Sequence, residues 1–306
     1  MKTLFVVLGP TGVGKTELCL SIARYLHSPI INADSRQIFK EIPIGTAAPT
    51  AEQQQSVRHY FVGNHSLQDY YSASMYEQDA MRLITRLFCG EEDGSAHDSL
   101  LLSGGSMMYI DAVCNGIDDI PTVPDDIRQE LKRRLADEGL PALVGQLRQL
   151  DPVHWAIVDR NNPRRVVHAL EICLATGKTY TSFRTNTRKE RPFRILKIGL
   201  TLPREQLYER INHRVEQMIE QGLVAEARRV YPLRNLNSLN TVGYKELFAH
   251  FDGDYDLAEA VRRIQSNSRR YARKQQTWFK RDASIAWFQP SQLTEIEQYI
   301  NHFVNP

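Results

Sequence analysis

Near the N-terminus, Gly9-Pro10-Thr11-Gly12-Val13-Gly14-Lys15-Thr16 combines glycines, one lysine and one hydroxyl in the spacing GxxxxGK[ST]. Glycines let backbone N–H groups converge on phosphate oxygens, and a helix that follows adds partial positive charge at its N-terminus. Lys15 supplies a mobile cation, and the Thr16 hydroxyl is a ligand for Mg²⁺. The flanks suit this reading: Thr3 to Leu8 has the character of a buried strand, and Glu17 to Leu26 that of a helix. By pattern this is a nucleotide-binding, ATP-type phosphate loop; the pattern leaves open which phosphate it holds, and an incidental glycine turn is the bland alternative.

A second candidate is Asp34, which ends the strand-like run that starts at Pro29. Carboxyl ends of strands face the ligand crevice of an open α/β sheet, so this carboxylate can take a proton from an attacking group. Capping a following helix is the structural alternative for Asp34 or Ser35. A third feature lies between Arg262 and Arg281: eight basic residues (Arg262, Arg263, Arg269, Arg270, Arg273, Lys274, Lys280, Arg281) and no acids. Helical spacing puts Arg262, Arg269, Arg273 and Lys280 on one stripe and Ile264, Tyr271 and Trp278 on another. A cationic face backed by an apolar anchor suits an RNA backbone; a solvated basic helix is the alternative. Arg210 and Arg214, spaced i and i+4, equally suit surface ion pairs.

These groups need a scaffold. Further strand-like runs are Ser99 to Ser103, leading into Gly104-Gly105, and Phe193 to Leu202. Strands alternating with helical stretches predict a P-loop NTPase-like α/β fold, a parallel sheet flanked by helices. The proline-rich stretch Ile120 to Asp126 punctuates the chain, and Asp126 to about Tyr180 is helical in pattern, with Gly177 as a stop. The division expected is an α/β core at 1–115 and 191–306, including C-terminal helices, with a helical insertion domain at 116–190.

Composition narrows the classes. The chain has 306 residues, 42% of them apolar, so a sizeable core is expected; its net charge of +2 gives no global pull on polyanions. Cys19, Cys89, Cys114 and Cys173 form no CxxC pair, which argues against a disulfide or zinc framework and for a reducing, cytoplasmic setting. The opening apolar run is too short to span a membrane. Leu100-Leu101-Leu102 leads into Ser103-Gly104-Gly105-Ser106 rather than an acid, unlike motor and switch NTPases. A P-loop small-molecule or nucleoside kinase and a non-enzymatic nucleotide-dependent RNA-binding module therefore stand beside any other reading.

GPTGVGKT followed by ADSRQIFKEIPIGTAAP (33–49) resembles the tRNA dimethylallyltransferases, whose pattern is GPTxxGK[ST], DSxQ and IGTAKP. The resemblance continues through Tyr71-Ser72, Gly104-Gly105-Ser106 with Tyr109, Pro124 to Arg128, Asp151-Pro152 and Asn162 to Glu171. It then runs through Arg204 to Met218, Gly222-Leu223, Val242 to Glu246 and Arg269 to Trp278, nearly the whole chain in order. The chain departs from the pattern at Ala48, Gly63, Ser106, Met107, Met108 and His168, and within 159–162.

The resemblance implies transfer of a dimethylallyl group from dimethylallyl diphosphate to the N6 amine of the adenosine 3′-adjacent to the anticodon in tRNA, with release of diphosphate. It implies that residues Gly9 to Thr16 hold the prenyl diphosphate rather than ATP, and that Lys15, Thr16 and Arg214 bind the departing diphosphate with Mg²⁺. Asp34 then accepts the amine proton. Ser35, Arg36, Gln37 and Ser106 lie near the base, with Gln37 favoured because an amide can meet adenine's donor–acceptor edge. Arg128, Arg164, Arg165 and His168 of the insertion, Thr241, Gly243, Tyr244 and Lys245, and Arg273, Lys274, Gln275, Trp278 and Lys280 are the expected tRNA contacts. An adenine must leave its stack to reach a buried diphosphate, at roughly a few kcal/mol. A deep passage is therefore expected, with Thr46, Ser106 and Tyr244 along it; a hydroxyl satisfied by backbone is the alternative for each. The partners are the tRNA anticodon stem-loop and dimethylallyl diphosphate, acting on a monomer.

Overall fold

The computed structural model describes residues 2–185 and 187–304, so positions 1, 186 and 305–306 of the expected domain ranges lie outside the described residues. The chain divides into two compact units, Met1–Cys114 with Arg191–Pro306, and Asn115–Glu190.

The first unit is built on six parallel strands: β1 (Thr3–Leu8), β2 (Ile30–Asn32), β3 (His59–Tyr60), β4 (Ser99–Gly104), β5 (Arg194–Leu200) and β6 (Ala286–Phe288), in the order β3-β2-β4-β1-β5-β6. Every residue of β1 is buried, because a parallel sheet carries helices on both faces and its strands must be apolar throughout. Leu4, Val6, Leu8, Leu100 and Leu102 point to one face, under helices α2 (Ala73–Cys89) and α3 (Met107–Asn115). Phe5, Val7, Leu101, Leu196 and Ile198 point to the other, under α1 (Lys15–Tyr25) and Ile296 and Ile300 of the C-terminal helix. This is the P-loop NTPase-like sheet. The two edge strands β3 and β6 carry no sequence signal of their own, being two and three residues long and only partly buried.

The second unit packs α4 (Asp125–Asp137), α5 (Leu140–Leu150), α6 (Pro152–Ile157) and α7 (Pro163–Thr176) around Leu131, Leu143, Leu147, Val166 and Leu170. Gly177 ends α7 in the left-handed region that glycine adopts without strain, as its sequence position predicts. Asp151 is wholly buried; its carboxylate accepts from His154 N and from Thr181 N and Oγ1, which pins the start of α6.

After β5 the first unit adds α8 (Arg204–Glu220), α9 (Leu223–Val230), α10 (Tyr244–Phe251) and the long α11 (Leu257–Phe279). They enclose a further core around Ile38, Ile42, Val215, Tyr244, Leu247 and Ile264. One buried ion pair stands out: Arg191 Nη2 lies 2.6 Å from Glu77 Oε1, and the same guanidinium donates to Val113 O and Ala112 O. Removing one member of such a pair leaves a desolvated charge behind. Arg191→Ala should therefore lower the unfolding free energy by about 3–5 kcal/mol, read from the denaturant midpoint at unchanged m-value.

Candidate active site

Register alone brings three loops together. Leu8 of β1 lies opposite Gly104 of β4, and Asn32 of β2 opposite Ser103, so the three strands end level. The contact is so close that a Cβ on Gly104 would sit 2.2 Å from Ala33 O, which only glycine permits. Ala33 N donates to Ser103 O and Ser106 N to Ala33 O, carrying the ladder one step past the strands. The Ser106 hydroxyl accepts from Ser35 N at 2.8 Å and pairs with Ser35 Oγ. Asp34 is thereby fixed beside the phosphate loop.

That loop turns between β1 and α1. Helix α1 begins at Lys15, two residues earlier than periodicity predicts, so Lys15 and Thr16 occupy its first turn. Gly12 and Gly14 have φ of 78° and 104°, and a Cβ on Gly12 would meet Ile211 of α8 at 2.7 Å. Val13 is buried in the core; Thr11, Gly12, Gly14, Lys15 and Thr16 line a cavity of about 2170 Å³. Lys15 Nζ donates to the loop's own Gly9 O and Pro10 O at 3.0 and 2.9 Å. Burial, then the nearby Arg214, brings its pKa down to about 8, with Asp34 and Cys19 opposing. Arg214 Nη1 donates to Thr11 Oγ1 at 3.1 Å, and burial lowers its pKa too, against the pull of Asp34. So Arg214 forms no surface ion pair; it joins the phosphate loop.

Asp34 Oδ1 accepts from Arg36 N at 2.9 Å and Gln37 N at 3.4 Å. What it caps is a turn, not the helix expected there. Its other oxygen takes no hydrogen bond from a described residue, and Asp34 lines the cavity. Arg36 reaches Ser238 O. Gln37 Nε2 donates to Thr46 O and Ala47 O, so its amide is locked with Oε1 as its free end, and only an acceptor is offered to a base. The Thr46 hydroxyl is satisfied by Ile42 O, although Thr46 lines the cavity.

Two expectations are corrected by packing. Tyr244 has no exposed surface and its hydroxyl bonds the Glu226 carboxylate, so it supports the wall from behind and does not line it. On α11, the buried residues are Ala260, Ile264, Ala272, Gln275 and Phe279. Trp278 is half-buried, packs on the core and donates Nε1 to Asp111 while also lining the cavity, so of the expected apolar stripe only Tyr271 leaves the core. Gln275 is 2% exposed. It accepts from Thr11 N (2.9 Å) and donates to Gly105 O (2.8 Å), bolting α11 to both loops rather than offering itself to RNA. Arg262 and Arg263 pair with Glu259. Arg273, Lys274, Thr241, Gly243 and Lys245 line the cavity with Ser35, Arg36 and Ser106, whereas Lys280 is exposed away from it. In the helical unit, Arg164, Arg165 and His168 are exposed on α7 and Arg128 is half-buried on α4.

Sequence reasoning missed Glu226 and Glu246. The first, fully buried, accepts from Ile44 N and Gly45 N and so holds the 43–46 turn; the second accepts from Gly243 N and Asn267 Nδ2. The partners of Glu226 lie far along the chain, whereas Glu246 at the third position of α10, three residues after Gly243, is a local helix-start spacing that could have found it.

Comparison with known proteins places the chain among relatives of one family. A family model described as IPP transferase matches residues 37–282. The chain is 60% identical over 303 residues to tRNA dimethylallyltransferase 1 of Phocaeicola vulgatus, covering 99% of both. It is 62% identical over 288 residues to tRNA dimethylallyltransferase 1 of Porphyromonas gingivalis, covering 94% of both. A solved structure of the full-length tRNA isopentenylpyrophosphate transferase of Bacillus halodurans superposes with a TM-score of 0.70 at 35% identity, over 99% of this chain and 96% of that one. A eukaryotic dimethylallyltransferase acting on tRNA shares the fold, with a TM-score of 0.80 at 22% identity, over 100% of this chain and 79% of that one.

The lowered Lys15 pKa sets a pH dependence. A bound anion favours the ammonium, so the bound pKa lies above the free value of about 8. Binding then requires proton uptake above that pH, and affinity falls as pH rises through it by up to about tenfold per unit. The ratio of pyrophosphate affinities of wild type and Lys15→Met, which cancels the ligand's own titration, should be flat below the free pKa and decline above it in calorimetry.

Proposed function

The chain belongs to the IPP transferase family, and from that premise we propose that it transfers a dimethylallyl group from dimethylallyl diphosphate to the N6 amine of the adenosine 3′-adjacent to the anticodon in tRNA, releasing diphosphate. The observation that carries this reading is the placement of one carboxylate, Asp34, and a cationic phosphate loop on the walls of the same cavity. Family membership likewise favours it over the kinase alternative.

The chemistry follows from charge. The N6 lone pair forms a bond to the allylic carbon as the carbon–oxygen bond to the diphosphate breaks. Negative charge develops on the leaving group, where Lys15, Arg214 and the N–H groups at the start of α1 are positioned to meet it. Asp34 takes the amine proton, so the attacking nitrogen does not have to carry a full positive charge. Gln37 Oε1, its amide fixed by Thr46 O and Ala47 O, accepts the other amine hydrogen. A base with a carbonyl at that position would meet oxygen with oxygen. The reading thereby accounts for a base with an exocyclic amine, as adenine has, over one with a carbonyl there.

Family membership implies a divalent metal, and we take it to be Mg²⁺. No cluster of three or more His, Cys, Asp or Glu occurs among the described residues. The donor set nonetheless fits, because Mg²⁺ beside phosphates keeps waters and needs only one or two protein ligands. Thr16, exposed to the cavity in the first turn of α1, would hold it. Bound there, the ion neutralises diphosphate charge. Arg164, Arg165 and His168 on the exposed side of α7, with Arg128 on α4, are our candidates for contacts to the anticodon stem. Among the described residues no helix is long and apolar enough to cross a membrane. Every residue invoked lies in one chain, and the reading takes the working enzyme to be a cytoplasmic monomer.

Labelled dimethylallyl diphosphate, Mg²⁺ and anticodon stem-loop RNA should yield labelled RNA with wild type. Asp34→Ala should slow transfer by about 10²–10⁴-fold; undiminished transfer would remove Asp34 from proton abstraction. In thermal melts, a prenyl diphosphate should raise Tm well beyond ATP at equal concentration, and the reverse order would restore the kinase.

A further inference from the structure

Tyr271 is an aromatic residue with no structural task. It is 37% exposed on α11, and it belongs to none of the buried cores or to the partly buried residues packed on them. Its hydroxyl makes no hydrogen bond with a described residue. Isolated exposed aromatics on a convex surface need no explanation, but this one lines the cavity alongside Asp34, Arg36, Met107 and Trp278. Its surroundings are desolvated enough to push the phenol up to about 12, with Asp34 adding to the rise and Arg36 opposing it. The exposed area of Tyr271 is therefore cavity wall near the carboxylate.

Its position is also fixed. Tyr271 lies one turn before Gln275, on the same side of α11. Gln275 bolts that turn to Thr11 N and to Gly105 O. One turn further back, Asn267 is held by Glu246. The ring is thus carried by a helix registered against both the phosphate loop and the Asp34 loop, and its two χ angles leave it little freedom. A preorganised aromatic plane near a proton acceptor suits a flat, uncharged, unstacked ring.

We propose that the Tyr271 ring is the stacking platform for the extruded base, a substrate-positioning residue that replaces the stacking lost when the base leaves the RNA. This rests on the RNA-modifying reading above and deepens it. A sequence-tolerant platform of this kind divides the work: stacking holds the ring, while Asp34 and Gln37 select the amine.

The test uses the full chain and an anticodon stem-loop with 2-aminopurine at the target position. This base stacks and fluoresces but has no N6 amine, so it reports binding without reacting. With wild type the extruded base should stay quenched by the ring; with Tyr271→Ala its fluorescence should rise on binding, while pyrophosphate affinity and Tm remain at wild-type values. On an adenine stem-loop, Tyr271→Ala should lower kcat/KM by about tenfold to a hundredfold. Tyr271→Phe should rescue both quench and transfer. Quenching by Tyr271→Ala equal to wild type, or failure of Tyr271→Phe to rescue, would overturn the platform. Wild type that transfers no label to adenine RNA would instead sink the reading on which the proposal stands.

Discussion

The arrangement depends on one close approach of backbone to backbone. Where β2 and β4 end, Gly104 lies so near Ala33 that no side chain fits between them. That contact sets the distance between the strand that launches Asp34 and the strand that launches Ser106. β1, paired to β4 through Leu8 and Gly104, places the phosphate loop level with both. A larger residue at position 104 would separate β2 from β4 and carry the carboxylate away from the loop. The geometry of the site is thus a property of sheet register, and the side chains inherit it.

Charge is distributed to match. Lys15 and Arg214 are held close together by packing, and burial lowers the pKa of each. Two like charges kept near each other out of bulk water raise the energy of the ligand-free state. Under the proposed function, an arriving diphosphate would relieve that repulsion, so part of the favourable electrostatics would appear on binding. Asp34 supplies a negative charge nearby. It is near enough to moderate the cations, as its opposing effect on both pKa values indicates. It does not neutralise them by a direct ion pair, and one of its oxygens stays available for a proton.

Much of this was legible in the chain. Central strands announced themselves because burial on both faces demands unbroken apolar runs, and the phosphate loop because glycines and Lys15 are irreplaceable there. β3 and β6 were hidden, since two or three half-buried edge residues have no period to detect. On α11 the apolar stripe of Ile264, Tyr271 and Trp278 differs from the structure at one position, Tyr271, which heptad spacing alone does not distinguish from its neighbours. Ile264 is buried and Trp278 packs on the core, whereas Tyr271 faces the cavity, and Ala272, Gln275 and Phe279 share the anchoring. The amides and acids that tie loops together, Gln37, Glu226, Glu246 and Gln275, find partners far along the chain or on backbone. Apart from the helix-start spacing of Gly243 and Glu246, local spacing contains no trace of them.

Those ties explain which part of the site is rigid and which must move. Glu226 secures the 43–46 turn, Glu246 the turn at Gly243, Gln275 the phosphate loop and Gly105, and Ser106 the Asp34 loop. Leaving any of these buried groups unpaired would cost about 1–3 kcal/mol, so the walls resist rearrangement. Lys15 is the exception. Its ammonium rests on two carbonyls of its own loop, acceptors that a phosphate oxygen can replace at no loss of hydrogen bonds. Under the proposed function, donor binding would exchange the partners of one flexible side chain inside a fixed frame. On that reading the ordering cost falls on that lysine, since the loop itself is held by Thr11 N on Gln275 Oε1 and Val13 N on Pro10 O.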